Sequence, residues 1–365
     1  VRYLYRVNVL RSVIAATGSF LPPVRVPNEA FLGYEFHDTD GSRIAKDNPE
    51  ILERFEAITG IRERRWVSGD LVTSDIAAAA ARDALESSGV DPESLDAIIV
   101  AHNFGDVRAG SHVPDLVPSI ASRVKAKLRI ASPRAVAWDV IFGCPGWIHG
   151  VIQADAMIRA GDAKRVMVIG ADTLSRVSDP HDRDSLIYAD GAGAVVLEAR
   201  RLPPGVGILA HSARSDTLVH GGMLFMGRSN RESAFLEALF LKMEGRKLYK
   251  YAVQTVAGAM KECLEKACLP VESVRKVLLH QANGKMDDAI VRAFYELYGE
   301  KEPPAGVLPM TISWLGNSSV ATVPTLLDLI VKGKLEGHEQ RSGDVFLFAS
   351  VGAGMNINAF VYRAP

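Results

Sequence analysis

One stretch of this chain occurs twice. Aligned without a gap, residues 85–101 fall on 264–280: Leu85 on Leu264, Glu86 on Glu265, Glu93 on Glu272, Ser94 on Ser273, and LDAIIVA on VRKVLLH. Each copy carries apolar residues at helical spacing followed by a short apolar run, the pattern of a helix that feeds a strand buried on both faces. A second pair repeats a strand, a turn with glycines and a strand: GDAKRVMVIGAD with DGAGAVVLEA, and GDVFLFASVGAGMNINAFVY near the C-terminus. RRLPPGVG, at 200–207, has the composition of a connection. One α/β unit present twice in 365 residues predicts a layered α/β body with pseudo-twofold symmetry. Residues 1–202 and 203–365 are the expected halves, and a site between them would draw on both. In the first copy the helix is predicted to open with Ser74 as N-cap and to stop at Gly89.

The bulk properties exclude several classes. A net charge of −1 gives no global attraction to nucleic acid or membrane. No apolar run is long enough to span a bilayer, and VRYLYRVNVLRSVIAATG, broken by Arg2, Arg6 and Arg11, lacks the core of a signal peptide. Three cysteines argue against a disulfide framework and for a reducing compartment, so a cytoplasmic, enzyme-sized protein is expected. Cys263 and Cys268 lack metal-ligand spacing and are assigned to packing, and no metal site is expected. The glycines of ADGAGA do not open a helix after a strand, so they form no nucleotide-binding fingerprint.

Chemistry-bearing residues stand where the periodic segments stop or begin. VIFGCPGWIHG sets Cys144 between a predicted strand and a predicted helix, with Pro145 at the first helical position. A helix N-terminus favours negative charge and lowers the pKa of a thiol. In the second copy the strand KVLLH ends on His280, where the first copy has Ala101. WLGNSS puts Asn317 just before another apolar helix. Taken singly, each has an ordinary reading as an inert thiol, a strand-end imidazole and a turn amide. Together they form a candidate nucleophile, a base and an orienting amide. Cysteine peptidases share that chain order, although their local signature around the cysteine is absent. No catalytic role is expected for His102, and His149, one turn beyond Cys144, is assigned at most to the mouth of the site.

The ordered motifs TGIRERR (59–65), Cys144 after DVIFG, SDPHDRDSLIYADGAGAVVLEA (178–199), HQAN (280–283), GNSS (316–319) and VGAGM (351–355) make the chain resemble the ketoacyl synthase III branch of the thiolase superfamily. The resemblance runs from IAATGSFLPP at 14–23 to GAGMNINAFVYR at 352–363. It implies a five-layered thiolase fold and a homodimer. It also implies a decarboxylating condensation in which Cys144 carries the acyl group and His280 and Asn317 bind the malonyl thioester. The backbone N–H groups of Cys144 and Ala353 would form the oxyanion hole, with Gly352, Gly354, Asn283 and the adenine-side Arg176 as further substrate-binding positions. The substrates implied are acyl-CoA and acyl carrier protein thioesters, with no cofactor. Basic residues in the segment matching MEGRKLYKYAV receive the carrier in relatives, which points to Arg246, Lys247 and Lys250, flanked by Arg228, Arg231 and Lys242. A solvated helix face is the plainer account of the same charges.

Two departures refine the expectation. Thiolases proper have a second reactive cysteine where this chain has Ser350, which favours a decarboxylating synthase. The Trp and Arg that hold adenine ahead of TGIR correspond to Arg54 and Ile58, beside an insertion at 32–57 expected to remodel the entrance. The stretch 103–134 is expected to reshape the acyl tunnel or the dimer contact. A longer or unusual acyl primer is therefore expected. The alternatives are a β-keto thioester, oxygen or nitrogen acceptor, or a non-catalytic partner subunit.

Overall fold

The computed structural model describes residues 9–231 and 237–365; Arg2 and Arg6 lie outside the described residues. The first half runs β1 (Val9–Phe20), β2 (Val24–Pro27), α1 (Asn48–Thr59), β3 (Glu63–Trp66), α2 (Thr73–Ser88), β4 (Ala97–Ala101), α3 (Ile120–Lys127), β5 (Val136–Val140), α4 (Gly146–Ala160), β6 (Arg165–Thr173) and β7 (Asp190–Leu202). The second runs β8 (Gly207–Ser215), α5 (Thr217–His220), β9 (Leu224–Gly227), β10 (Phe240–Met243), α6 (Gly245–Lys266), β11 (Val274–Leu279), α7 (Gly284–Glu296), α8 (Ile312–Leu315), α9 (Thr322–Val331), β12 (Val345–Gly352) and β13 (Asn356–Arg363).

The duplication seen in the sequence is a duplication of topology. One sheet has the order β1-β7-β6-β4-β5 and the other β8-β13-β12-β11, so the second repeats the first without its fifth strand. Directions match as well: β1/β7 and β6/β7 are antiparallel and β4/β6 parallel, as are β8/β13, β12/β13 and β11/β12 in turn. The structure shifts the equivalence by one residue at its end. Ala101 and Leu279 are the last paired residues of β4 and β11, so His102 stands at the place of His280.

Three apolar clusters stack the elements into five layers. Buried faces of α2 and α3 cover one side of the first sheet, and α6 and α7 cover one side of the second. Between the sheets lie α4 and α9, through Trp147, Ile148 and Val151 on one helix and Leu326, Leu327 and Ile330 on the other. The central run Ala97–Ala101 is wholly inaccessible to solvent, as a parallel strand covered on both faces must be. Each fully buried Ile or Val there contributes roughly 1.5–3 kcal/mol of transfer free energy.

Two helix starts differ from expectation. Helix α2 begins at Thr73 after Val72, and Ser74 lies inside it, its N–H and hydroxyl both donating to Asp106. The Ser74 side chain is engaged by a distant carboxylate and is not free to cap its own helix. Gly89 does end it, at φ 69°. Pro145 precedes α4 as its cap with near-helical angles, so Cys144 lies two residues before the helix. No helix among the described residues is long and apolar enough to cross a membrane.

Candidate active site

Three loops converge at one end of the central layer. The first carries Cys144 between β5 and α4, the second carries His280 beyond β11, and the third carries Asn317 between α8 and α9. All three side chains line one cavity of about 380 Å³. Asn103, Ser319, Ala353 and Gly354 also reach it, and most of the remaining wall is apolar: Phe104, Phe142, Leu174, Ile187, Leu241 and Met243 among others.

Each loop is held by bonds that its sequence motif supplies. The His280 N–H donates to the Ala349 carbonyl, continuing the β11/β12 ladder by one residue. Next to it, Gln281 is fully buried; its Nε2 donates to Pro309 O, and its Oε1 accepts from the N–H groups of Thr311 and Ile312. Gln281 thus ties the histidine loop to the segment that leads into Asn317. The Asn317 backbone is stitched between Ile187 O and the Ala189 N–H, and its Oδ1 accepts from the Ser319 N–H at 2.9 Å. With that oxygen occupied, the Nδ2 donors remain for the cavity. Arg64 of the TGIRERR motif is buried under this region and donates to Leu186 O, Val26 O and Asn28 Oδ1. Asp190, which opens β7 within the ADGAG motif expected to form a turn, accepts from the N–H groups of Val67 and Ser175 and from the Ser175 hydroxyl. These motifs build the scaffold beneath the site.

Glycines bring the cysteine turn and the C-terminal turn into contact. A Cβ at Gly143, whose φ is 67°, would lie 2.6 Å from Ala353 N, and one at Gly352 would lie 2.4 Å from Cys144 N. Both approaches are closer than any side chain permits, so the Cys144 and Ala353 amides run past one another at the cavity wall. Gly352 therefore acts by close approach, whereas Gly354 lines the cavity itself.

The electrostatics correct one expectation. Burial pushes the Cys144 thiol up to about 11, with a hydrogen bond from the Ser319 hydroxyl acting against it and the nearby Asp172 adding to it. Burial lowers His280 to about 4, so the imidazole is neutral near neutral pH. Its Nδ1 has no partner among the described residues.

Other expected site residues fall elsewhere. Asn283 caps α7, accepting from the Met286 N–H, and does not line the cavity. Arg176 faces a separate hollow of about 320 Å³ beside Phe31, Tyr34, Phe36 and Trp66, and donates to the Ser68 and Gly69 carbonyls. Arg54 and Ile58 are exposed on α1. The 32–57 segment contributes to that second hollow and not to the walls around Cys144. His149 is likewise outside the cavity lining and stacks on Phe142 at 4.2 Å. Lys242 is buried, paired with Asp179 at 2.6 Å and Asp182 at 2.9 Å, and offers no docking charge. Arg231 pairs with Glu35. Arg246, Lys247 and Lys250 are exposed at the start of α6, whose Leu248 turns inward to the cavity. Sequence reasoning missed Asn103, Asp172 and the role of Gln281, although HQAN and the strand end VAHN contain two of them.

A five-layered duplicated α/β body with a cysteine, a histidine and an asparagine on one cavity defines the thiolase-like condensing enzymes. Residues 138–217 match the profile of 3-oxoacyl-[acyl-carrier-protein] synthase III, and residues 264–364 match that of its C-terminal domain. The chain is similar to the solved 3-oxoacyl-[acyl-carrier-protein] synthase III of Thermus thermophilus, at 30% identity over 97% of this chain and 99% of that one, with a TM-score of 0.79. It is similar to the Aquifex aeolicus enzyme at 29% identity over 96% and 99%, TM-score 0.78. The priming β-ketosynthase of the R1128 polyketide pathway matches at 27% identity over 99% of both chains, TM-score 0.78. The chain belongs to the 3-oxoacyl-[acyl-carrier-protein] synthase III family of condensing acyltransferases.

Proposed function

We propose that this enzyme joins an acyl group longer or bulkier than acetyl to a malonyl unit on acyl carrier protein. The carrying observation is the cavity: Cys144, His280 and Asn317 share it, and the rest of its wall is mostly hydrocarbon. The Cys144 thiolate attacks the acyl thioester, the CoA or carrier thiol leaves, and an acyl-Cys thioester remains. His280 and Asn317 then donate hydrogen bonds to the thioester carbonyl of the malonyl carrier. Loss of carbon dioxide leaves an enolate held by those donors. The enolate carbon attacks the acyl-Cys carbonyl, the oxyanion lies against the Cys144 and Ala353 N–H groups, and the Cys144 thiolate departs as the 3-oxoacyl thioester forms. A preorganised donor of this type is worth about 3–4 kcal/mol in the transition state. The reaction as written draws on no cofactor.

Neutral His280 supports the donor role, since an imidazole that resists protonation carries no charge into an apolar site. A primer other than acetyl-CoA is supported by the exposed Arg54 and Ile58 at the adenine-side positions. Exposed Arg246, Lys247 and Lys250 beside inward-facing Leu248 support docking of an acidic carrier there. Val136 and Ile141, 58% and 61% exposed on and beside edge strand β5, support a homodimer across that edge, which light scattering reads directly.

The test is intact mass after mixing with acyl-CoA and acyl-carrier thioesters of increasing chain length, beside Cys144→Ala. An acyl adduct is expected on the wild type alone, strongest for donors longer than acetyl. An adduct of equal yield on Cys144→Ala overturns the assignment, and exclusive loading by acetyl overturns the primer.

A further inference from the structure

The condensation leaves one chain of side chains beside Cys144 without a task. The Ser319 hydroxyl lies 3.4 Å from the Cys144 Sγ. Its oxygen is 2.9 Å from Asn103 Nδ2, and that nitrogen is 2.7 Å from Asp172 Oδ2. The Asn103 backbone N–H donates to Oδ1 of the same carboxylate at 2.9 Å. Asp172 is buried in β6.

Donor and acceptor chemistry sets the direction of the chain. An ionised carboxylate only accepts, so Asn103 must turn its NH₂ toward Asp172, and the same NH₂ then donates to Ser319 Oγ. With a lone pair of Ser319 engaged by the amide, the hydroxyl hydrogen is directed at sulfur 3.4 Å away, with the Asp172 carboxylate as a competing acceptor. The backbone holds this arrangement against a local preference, because Ser319 sits at φ 53°. Few residues other than glycine adopt that region without compensation. The same residue's N–H fixes the Asn317 amide, so one strained position serves two walls of the site.

We propose that Ser319 is a positioning residue that keeps a hydrogen-bond donor on the Cys144 sulfur, its direction set by Asn103 anchored on Asp172. The chain spans both halves: Asn103 and Asp172 belong to the first and Ser319 to the second. A thiolate formed in a hydrocarbon cavity loses the donors that water would supply, and Ser319 replaces one of them. The donor acts when Cys144 is freed to attack and again when it departs from the condensed product. This purpose rests on the acyl-Cys reading above.

The other groups around the sulfur act in both senses. Burial and the Asp172 carboxylate hold its proton on. The Ser319 hydroxyl, the local backbone amide and the start of α4 favour the thiolate. His280 is neutral and buried Tyr188 holds its proton well above the usual phenol range, so neither adds charge near neutral pH. His102 acts on Asp172 from the end of β4.

The experiment is the pH dependence of Cys144 alkylation by iodoacetamide, read on the Cys144 peptide by mass spectrometry because Cys268 is exposed. Ser319→Ala and Ser319→Gly are compared with the wild type; glycine suits the positive φ and preserves the fold. Both variants are expected to move the midpoint up by about one pH unit, read as a rate about tenfold lower at each pH between about 7 and 9.5, with the exposed Cys268 of the same sample unchanged. Asn103→Ala is expected to shift it less, in the same direction, with no further shift on the Ser319→Ala background. An unchanged midpoint in Ser319→Gly overturns the proposal, and an additive double variant overturns the part given to Asn103. Iodoacetamide reads the thiol without an acyl donor, so failure here is distinct from failure of acyl loading.

Discussion

Asn317 separates two steps of the proposed reaction. Its Oδ1 is committed to the Ser319 N–H, so its contribution to chemistry is the Nδ2 donor alone. Asn317→Ala is therefore expected to load its acyl group as the wild type does and to condense roughly a hundredfold more slowly. Single-turnover assays on preloaded enzyme resolve the two rates, and equal slowing of both would assign Asn317 to the fold. His280 makes a different prediction, about acid stability. Its folded pKa, about 4, lies below the ordinary imidazole value of 6.5. Above about pH 6.5 both the folded and unfolded chains hold it neutral, so it costs nothing there. As pH falls from about 6.5 to about 4, the unfolded chain binds the proton first and stability drops. His280→Asn is expected to lessen that drop, measured as urea unfolding at about pH 7 and about pH 4.5.

The loops that carry the site are short elements pinned by single buried side chains. Gln281 satisfies three backbone groups of the 309–312 segment and has no contact with the cavity. Gln281→Ala leaves those groups buried without partners and is expected to cost about 3 kcal/mol of stability. Urea denaturation measures the loss, and condensation is expected to suffer more than loading, because the segment leads to Asn317 and not to Cys144. The same dependence explains what the motifs hide. HQAN was legible as a loop bearing a histidine, but the partners of Gln281 lie 28 to 31 residues away along the chain. Asn283 of the same motif caps its own helix through Oδ1, a local role that the motif did not announce. The Cys144 turn was readable as a strand-to-helix junction from Gly143, Pro145 and the flanking apolar runs. Its thiol was expected to be acidified, whereas desolvation and the Asp172 carboxylate push it up.

Over the whole molecule the charge is near balance, so any attraction for an acidic carrier is local to the start of α6. Reversing Arg246 and Lys250 together to glutamate is expected to lower kcat/KM for a malonyl-carrier acceptor several-fold at low salt and to flatten its dependence on ionic strength. An unaltered salt slope would leave those residues as a solvated helix face.

A layered α/β body built from a repeated unit was legible in the sequence itself, because it rests on period and repetition read locally along the chain, whereas the five layers and the choice of Cys144, His280 and Asn317 as a set came from the resemblance of its ordered motifs to the ketoacyl synthase III branch. The tertiary structure alone decided that Lys242 is buried between two aspartates, that Arg176 faces a different hollow, and that Asn103, Asp172 and Ser319 meet behind the thiol. Those facts depend on which distant segments are brought within hydrogen-bond distance and on how much water is excluded when they meet, and neither quantity is carried by any local stretch of residues.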